Sequence, residues 1–208
     1  MAASHEQYLR KSAGPRLIKA KPHPGLRMVV VIPCHDEPDL VGTLERLANC
    51  ESPLGQAEVI VVINGSEKDS PAVARQNQDT LGQATDWLSE RDNTWLPIHL
   101  LQLPDLPPRH AGVGQARKIG MDEALRRFAD IGQAEDGLLV CYDADCRCSA
   151  NYFTGIESHF AVQPDAPGCS IHFEHPLDAG EWAALGFGDT TPGQAVFDGI
   201  AAYELHLR

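Results

Sequence analysis

Apolar runs and amphipathic stretches alternate through the first three quarters of the chain. Met28 to Ile32 is a continuous, valine-rich apolar run, the pattern of a strand buried on both faces, and Pro33 ends it. Leu40, Val41, Leu44, Leu47 and Ala48 then share one face of a helix opening near Pro38, a residue suited to the first helical position. Glu58 to Ile63 predicts a second buried strand, closed by the turn pair Asn64-Gly65. Pro71 opens a second helix, with Leu81, Ala84, Trp87 and Leu88 as its apolar face. Ile98 to Leu103 predicts a third strand, and the loop Pro104 to Pro108 leads to Gly112-Val113-Gly114. A helix over Gln115 to Ala129 turns Ile119, Leu125 and Phe128 inward, and the run Leu138 to Tyr142 is a fourth strand that breaks off into Asp143-Ala144-Asp145. Beyond it the spacing predicts a helix over Tyr152 to Val162, a short strand over Ser170 to Glu174, a Gly- and Thr-rich loop over Gly180 to Gln194, and a helix from Phe197 to Arg208 with no stop signal.

Strands separated by helices imply βαβ units and a mostly parallel sheet flanked by helices, a Rossmann-like α/β class. In such open sheets the ligand sits at the carboxyl ends of the strands. The polar clusters Pro33 to Glu37, Asn64 to Ser66 and Asp143 to Asp145 each fall just after a predicted strand.

Composition narrows the function classes. The 208 residues suffice for one domain with a sizeable core, or one domain plus part of a second. A net charge of −12 argues against a nucleic-acid partner, whose footprint is usually basic. The first 26 residues are the exception: Arg10, Lys11, Arg16, Lys19 and Lys21 face only Glu6, which reads as a solvated, loosely ordered basic arm. No run approaches the length of a membrane span, and the amino terminus lacks the apolar core of a secretory signal. The six cysteines, without that signal, read as free cytosolic thiols in a cytoplasmic protein. Cys141, Cys146 and Cys148 lack the spacing of a zinc set.

Asp143 and Asp145 carry the candidate chemistry. Side chains alternate along a strand, so both acids point the same way at the strand's end. Two like charges so placed repel, and a hard divalent cation, Mg²⁺ or Mn²⁺, relieves the repulsion while gripping a nucleotide's phosphates. The bland alternative is a polar strand-to-loop exit.

Four segments, VVVIPCHDEP (Val29 to Pro38), VVINGS (Val61 to Ser66), GVGQARKIGMDEA (Gly112 to Ala124) and YDADC (Tyr142 to Cys146), together resemble the nucleotide-binding half of a family 2 glycosyltransferase of GT-A fold. The likeness covers roughly residues 27 to 165. Asp36 stands where that family more often has Asn, and its Glu-Asp and Gln-x-x-Arg-Trp motifs have no counterpart here. The resemblance implies a hexosyltransferase-type, inverting enzyme that moves a sugar from a UDP- or GDP-linked donor to an acceptor hydroxyl. It implies that Pro33, Asp36, Glu37, Asn64, Gly65, Ser66, Arg117, Asp143 and Ala144 contact the nucleotide-sugar, and that Asp143 and Asp145 hold Mn²⁺ or Mg²⁺. It makes residues 27–165 the donor domain and 166–208 the truncated start of an acceptor-side region. There Glu174 is the best placed general base, and His172 or His175 is a possible third metal ligand. Read as plain chemistry, Asp36 is equally a helix cap, Asn64-Gly65-Ser66 a turn, and His110 a surface loop residue.

Two other enzyme classes fit less well. Haloacid-dehalogenase-like phosphatases place Asp-x-Asp early in the fold, with Thr or Val two residues after the second acid, where Arg147 stands. Sugar nucleotidyltransferases carry a glycine-rich loop after the first strand, where Pro33-Cys34-His35-Asp36 stands. The reading outside enzymes is a domain that binds nucleotide-sugar without transferring it.

Overall fold

Four parallel strands form the centre of a computed structural model that describes residues 4–91, 95–184, 193, 196 and 197. In chain order the elements are α1 (Ser4–Ser12), β1 (Leu26–Cys34), α2 (Leu40–Ala48), β2 (Gln56–Ser66), α3 (Pro71–Glu90), β3 (Ile98–Leu106), α4 (Val113–Asp130), β4 (Leu138–Cys141), α5 (Tyr152–Val162) and α6 (Ala179–Ala184), with a 3-10 turn at Pro108–His110. The strand order is β3-β2-β1-β4. The fold class is thus the expected α/β one, a parallel sheet flanked by helices. The chain divides into two compact units, Met1–His159 and Phe160–Arg208.

The sheet lies in the first unit. β1 and β2, almost wholly buried, form its middle, as their unbroken apolar runs require. Val29, Val31, Ile60 and Val62 turn one face toward α4, where Ala116, Ala124 and Phe128 complete the core. Gly120 sets how closely α4 can lie, because a Cβ there would overlap Val31 Cγ1 and crowd Val62.

Three strands run further than their sequence suggests. Pro33 does not end β1; it pairs in register with Val62. Tyr142 N donates to the Val31 carbonyl, so alternate β1 residues, Pro33 included, direct their backbone toward β4. β4 pairs only as far as Val31–Cys141, so the N–H that proline lacks would have had no partner. Asn64 to Ser66 is not a terminating turn but the end of β2, paired irregularly with β3. Gly65 is required there: a Cβ would lie 2.7 Å from the Pro104 carbonyl oxygen. Pro104 itself is tolerated because, among the described strands, β3 is an edge. By contrast α2 begins later than Pro38, at Leu40. α3 starts at Pro71 as expected, with Ser70 accepting from Val73 N. Its buried face is Asn77, Thr80 and Ala84, while Leu81, Trp87 and Leu88 are only half-buried.

The amino-terminal stretch is docked, although Arg10, Lys11, Lys19 and Lys21 stay exposed to solvent. Residues 4–12 form α1, and Tyr8 Oη donates to Asp122 at 2.8 Å. Lys118 Nζ bridges Asp122 (2.6 Å) and the Ser12 carbonyl (2.9 Å). Arg16 forks onto Asp130 at 2.6 and 2.9 Å. Buried Glu123 accepts the backbone N–H groups of Leu17 and Ile18. The acids along α4 thus anchor the segment through Tyr8, two backbone N–H groups and Arg16.

Arg127 on α4 makes the buried ionic contact of the fold. It forks onto Glu58 at 2.5 and 2.8 Å and donates to the Ala20 carbonyl at 2.8 Å. Burial pushes the Glu58 carboxyl upward, but the nearby His99 imidazole, 3.6 Å away, and the Arg127 guanidinium overcome it and hold the group at about 2.

In the second unit Asp178 Oδ1 accepts from Gly180 N and Glu181 N at the start of α6. Ser170 to Glu174, expected as a strand, has no regular structure. α6 occupies the beginning of the expected Gly180–Gln194 loop. The expected helix from Phe197 to Arg208 lies, apart from Phe197, outside the described residues.

Arg127→Met is expected to cost about 3–5 kcal/mol in a urea titration, since it leaves a buried carboxylate unpaired. The double variant with Glu58→Leu should recover part of that loss, and equal losses would contradict the assignment. Because the folded carboxyl of Glu58 is depressed, its stabilising contribution is present above the unfolded value of roughly 4.3. It should fade as pH falls from there toward about 2, and should be absent from the pH profile of Glu58→Gln.

Candidate functional site

β1 and β4 leave the sheet in different places, and an open cavity of about 560 Å³ lies between their carboxyl ends. That size suits a small-molecule ligand, for which pockets run roughly 300–1,000 Å³. The position follows from the strand order. The chain steps from β1 to β2 to β3 in one direction, and β4 then returns to the other side of β1. Such a reversal opens a crevice at the strand ends.

Each wall comes from a different element. The end of β1 and the loop after it give Pro33, Cys34, His35 and Glu37. The end of β2 gives Asn64. Ala111 and Gly112 lead into α4, which starts at Val113 and whose second turn opens with Arg117. The loop after β4 gives Asp143, Ala144 and Asp145. Seven sequence-derived positions therefore converge here: Pro33, Glu37, Asn64, Arg117, Asp143, Ala144 and Asp145.

Four others do not. Asp36 is exposed, lies outside the lining and holds a left-handed backbone at φ 54°, a conformation Asp adopts more readily than most residues. It does not cap α2: Asp39 takes that position without a side-chain cap bond. Gly65 serves the approach to β3, and Ser66 turns its hydroxyl to Lys68 N at 3.2 Å. Glu174 belongs to the second unit, with its side chain 77% exposed and paired with His172 at 3.1 Å. His110 is exposed in the 3-10 turn and outside the lining.

Asn64 is the most constrained polar group in the lining. It is 1% exposed. Its Nδ2 donates to the Ala111 carbonyl at 2.5 Å, and its own carbonyl accepts from Asn77 Nδ2 at 3.1 Å. Its Oδ1 is buried without a protein partner. An orphaned acceptor of this kind costs about 1–3 kcal/mol unless something donates to it. A ligand N–H or O–H in the cavity would do so.

The lining charge is three carboxylates, Glu37, Asp143 and Asp145, against one guanidinium. Arg117 is ion-paired with Asp143, which supplies the anionic partner that a cation at a helix start needs. Asp145 is exposed and meets no cation in an ion pair among the described residues. Burial pushes the Glu37 carboxyl upward, and the Asp145 and Asp39 charges add to it, partly offset by the Asp39 N–H and by Arg147. This donor set fits a divalent cation: hard oxygens, excess negative charge and a solvent-reachable rim. No group of three His, Cys, Asp or Glu able to hold an ion occurs among the described residues. A cation here would therefore take one or two protein oxygens and complete its shell from phosphate and water, the ordinary habit of Mg²⁺.

Residues the sequence did not single out hold these groups in place. Buried Thr43 on α2 donates to the Ala144 carbonyl at 2.5 Å and accepts from Arg147 at 2.7 Å. Arg147 also pairs with Asp39. Asn77 Oδ1 accepts from Asp36 N at 2.8 Å, and Thr80 donates to the Glu37 carbonyl at 2.7 Å, so α3 supports the loop after β1. His35 is oriented by Asp69 at 3.0 Å. One signal for Asn77 and Thr80 was available: with Ala84 they fall on one face of α3, where polar residues imply buried partners.

Compared with protein-family models and with curated proteins, the chain matches none. Among solved structures it is similar to a crystal structure of S. aureus TarS, residues 1–349, with 16% sequence identity and a TM-score of 0.43. The likeness covers 70% of this chain and 39% of that one.

Thr43→Val keeps the shape and removes both hydroxyl bonds. It should lower stability by about 1–3 kcal/mol and speed hydrogen exchange across residues 143–150 more than elsewhere. Uniform or unchanged exchange would show that Thr43 does not tether the loop.

Proposed function

We propose that this chain is the donor-binding half of a metal-dependent glycosyltransferase of GT-A, family 2 type. In this reading it transfers a hexosyl group, with inversion, from a UDP- or GDP-linked sugar to an acceptor hydroxyl. The observation that carries the reading is the convergence of all four family-like segments on one cavity at the β1/β4 reversal. No helix among the described residues is long and apolar enough to cross a membrane; the cytoplasmic placement rests on the cysteine usage.

The cavity's own groups divide the work. Asn64 Oδ1 accepts from a base or ribose donor, filling its vacant lone pairs. The amino-terminal turn of α4, with its free backbone N–H groups, faces the diphosphate. Arg117 holds Asp143 in a fixed orientation and adds positive charge beside the leaving group. Asp145, with Asp143 beside it, would hold Mn²⁺ or Mg²⁺, which when bound offsets the charge that builds on the departing diphosphate. Departure leaves positive character on the sugar carbon, and an acceptor hydroxyl attacks from the opposite face as a carboxylate takes its proton. Glu174, in the proposed acceptor-side region 166–208, is the residue offered for that step.

A second reading has its own support. The cavity lining contains no carboxylate beyond Glu37, Asp143 and Asp145, so it offers no separate base for the acceptor. A domain that binds nucleotide-sugar without transferring it would look the same.

Titration with UDP- and GDP-sugars plus Mn²⁺, followed by thermal shift and assay of released nucleoside diphosphate, separates the readings. Metal-dependent stabilisation with diphosphate release supports the transferase, and stabilisation without release supports the binding domain. Asp145→Asn should weaken metal-dependent donor binding by at least about tenfold while leaving the circular dichroism unchanged. Donor binding indifferent to EDTA, or to this substitution, would overturn the metal role.

A further inference from the structure

The loop that carries Asp143 and Asp145 has a second point of contact with α2, made through sulfur. Cys50 lies two residues beyond α2 and is buried. Its Sγ is 3.6 Å from Cys148 Sγ, 3.3 Å from the Arg46 carbonyl oxygen and 3.5 Å from the Ser149 carbonyl oxygen. Cys148 is half-buried, so a small reagent can reach it. The remaining cysteines are placed differently: Cys34 is buried in the cavity wall, and Cys141, Cys146 and Cys169 are exposed.

The two sulfurs are chemically unequal. The hydrogen bond from Cys50 is the chief cause that holds the Cys148 thiol down, to about 7, against the opposing effect of burial; the positive charges of Arg46 and Arg147 add to it. The same contact and burial push the Cys50 thiol upward. Thiolate character is what makes a cysteine nucleophilic, so Cys148 is the attacking sulfur and Cys50 the resolving one.

We propose that Cys148 and Cys50 are a redox modification site, converted by a hydroperoxide into a disulfide that staples the loop after β4 to the segment just beyond α2. The Cys148 thiolate attacks the peroxide, the O–O bond breaks, and an alcohol or water leaves as Cys148 becomes a sulfenic acid. The Cys50 sulfur then attacks Cys148 sulfur, the S–O bond breaks, and hydroxide departs with the Cys50 proton as water. Two thiols lose two electrons and the peroxide gains them. Closing 3.6 Å to a bond of about 2.05 Å asks for a modest shift. Residues 146–149 have no regular structure that would resist it. The register is already set, because Glu51 N donates to the Ala150 carbonyl at 2.8 Å. The linked residues are 98 apart in sequence, so the bond would strongly restrict the unfolded chain. The inference is independent of what the cavity binds.

Treating the full chain with hydrogen peroxide, alkylating, and mapping peptides without reduction tests it. The expected result is a Cys50–Cys148 linked peptide, an intact mass lower by two hydrogens, and reversal by dithiothreitol. The oxidised protein should also melt above the reduced one, a gain kept in Cys146→Ser and lost in Cys148→Ser. Cys148 linked instead to Cys146 or Cys141, or accumulating as sulfinic acid while Cys50 stays reduced, would overturn the proposal. The wild-type map decides even if a variant fails to fold.

Discussion

The unequal pairing of β1 with its two neighbours underlies the rest of this structure. On one side β2 accompanies β1 to its end, through Cys34–Ile63. On the other side β4 departs at Cys141, opposite Val31. The last turn of β1 is therefore paired on one flank only, and the vacated flank becomes the cavity. Pro33 can stand there because no β4 carbonyl needs its N–H, and Asp143 to Asp145 enter there because the strand that carries them has just left the ladder. A sheet in which β4 ran as far as β2 would have no room for a ligand.

Stability and candidate chemistry lie at opposite ends of that sheet. The Glu58–Arg127 pair and the anchored stretch from Leu17 to Ala20 sit toward the amino ends of the strands, where buried charge is matched by partners. The carboxyl ends carry the unmatched groups: the orphaned Asn64 oxygen, the crowded Glu37 carboxyl and the exposed Asp145. α4 connects the two ends. Ala116 and Gly120 let it press onto β1 and β2, which fixes Arg117 over the cavity while Arg127 reaches the buried acid three turns away.

The loop after β4 is held as a unit. Thr43, Asp39 and Cys50 on or beside α2 meet Ala144, Arg147 and Cys148 in order, and Glu51 closes the row at Ala150. Whatever Asp145 binds, its position is set from α2, a helix whose sequence advertises only an apolar face.

The sequence by itself determined the alternation of buried strands and amphipathic helices, because burial on two faces or on one stripe leaves a pattern any reader can count. It also determined that the polar clusters fall at or just past the carboxyl ends of strands, and so that the groups at Pro33, Asn64 and Asp143 share one edge of a parallel sheet. It did not determine where the strands stop: Pro33, Gly65 and Pro104 are breakers in isolation and are tolerated only because of what lies, or fails to lie, on the neighbouring flank. Nor could it place Asp36, whose side chain is a cap or a ligand on paper but whose backbone turns it out of the lining. The anchoring of Leu17 by Glu123 and of Ala144 by Thr43 spans about a hundred residues of chain. Contacts that far apart obey no local period. They depend on which polar group loses its water when the sheet and helices close, and only the tertiary structure decides that.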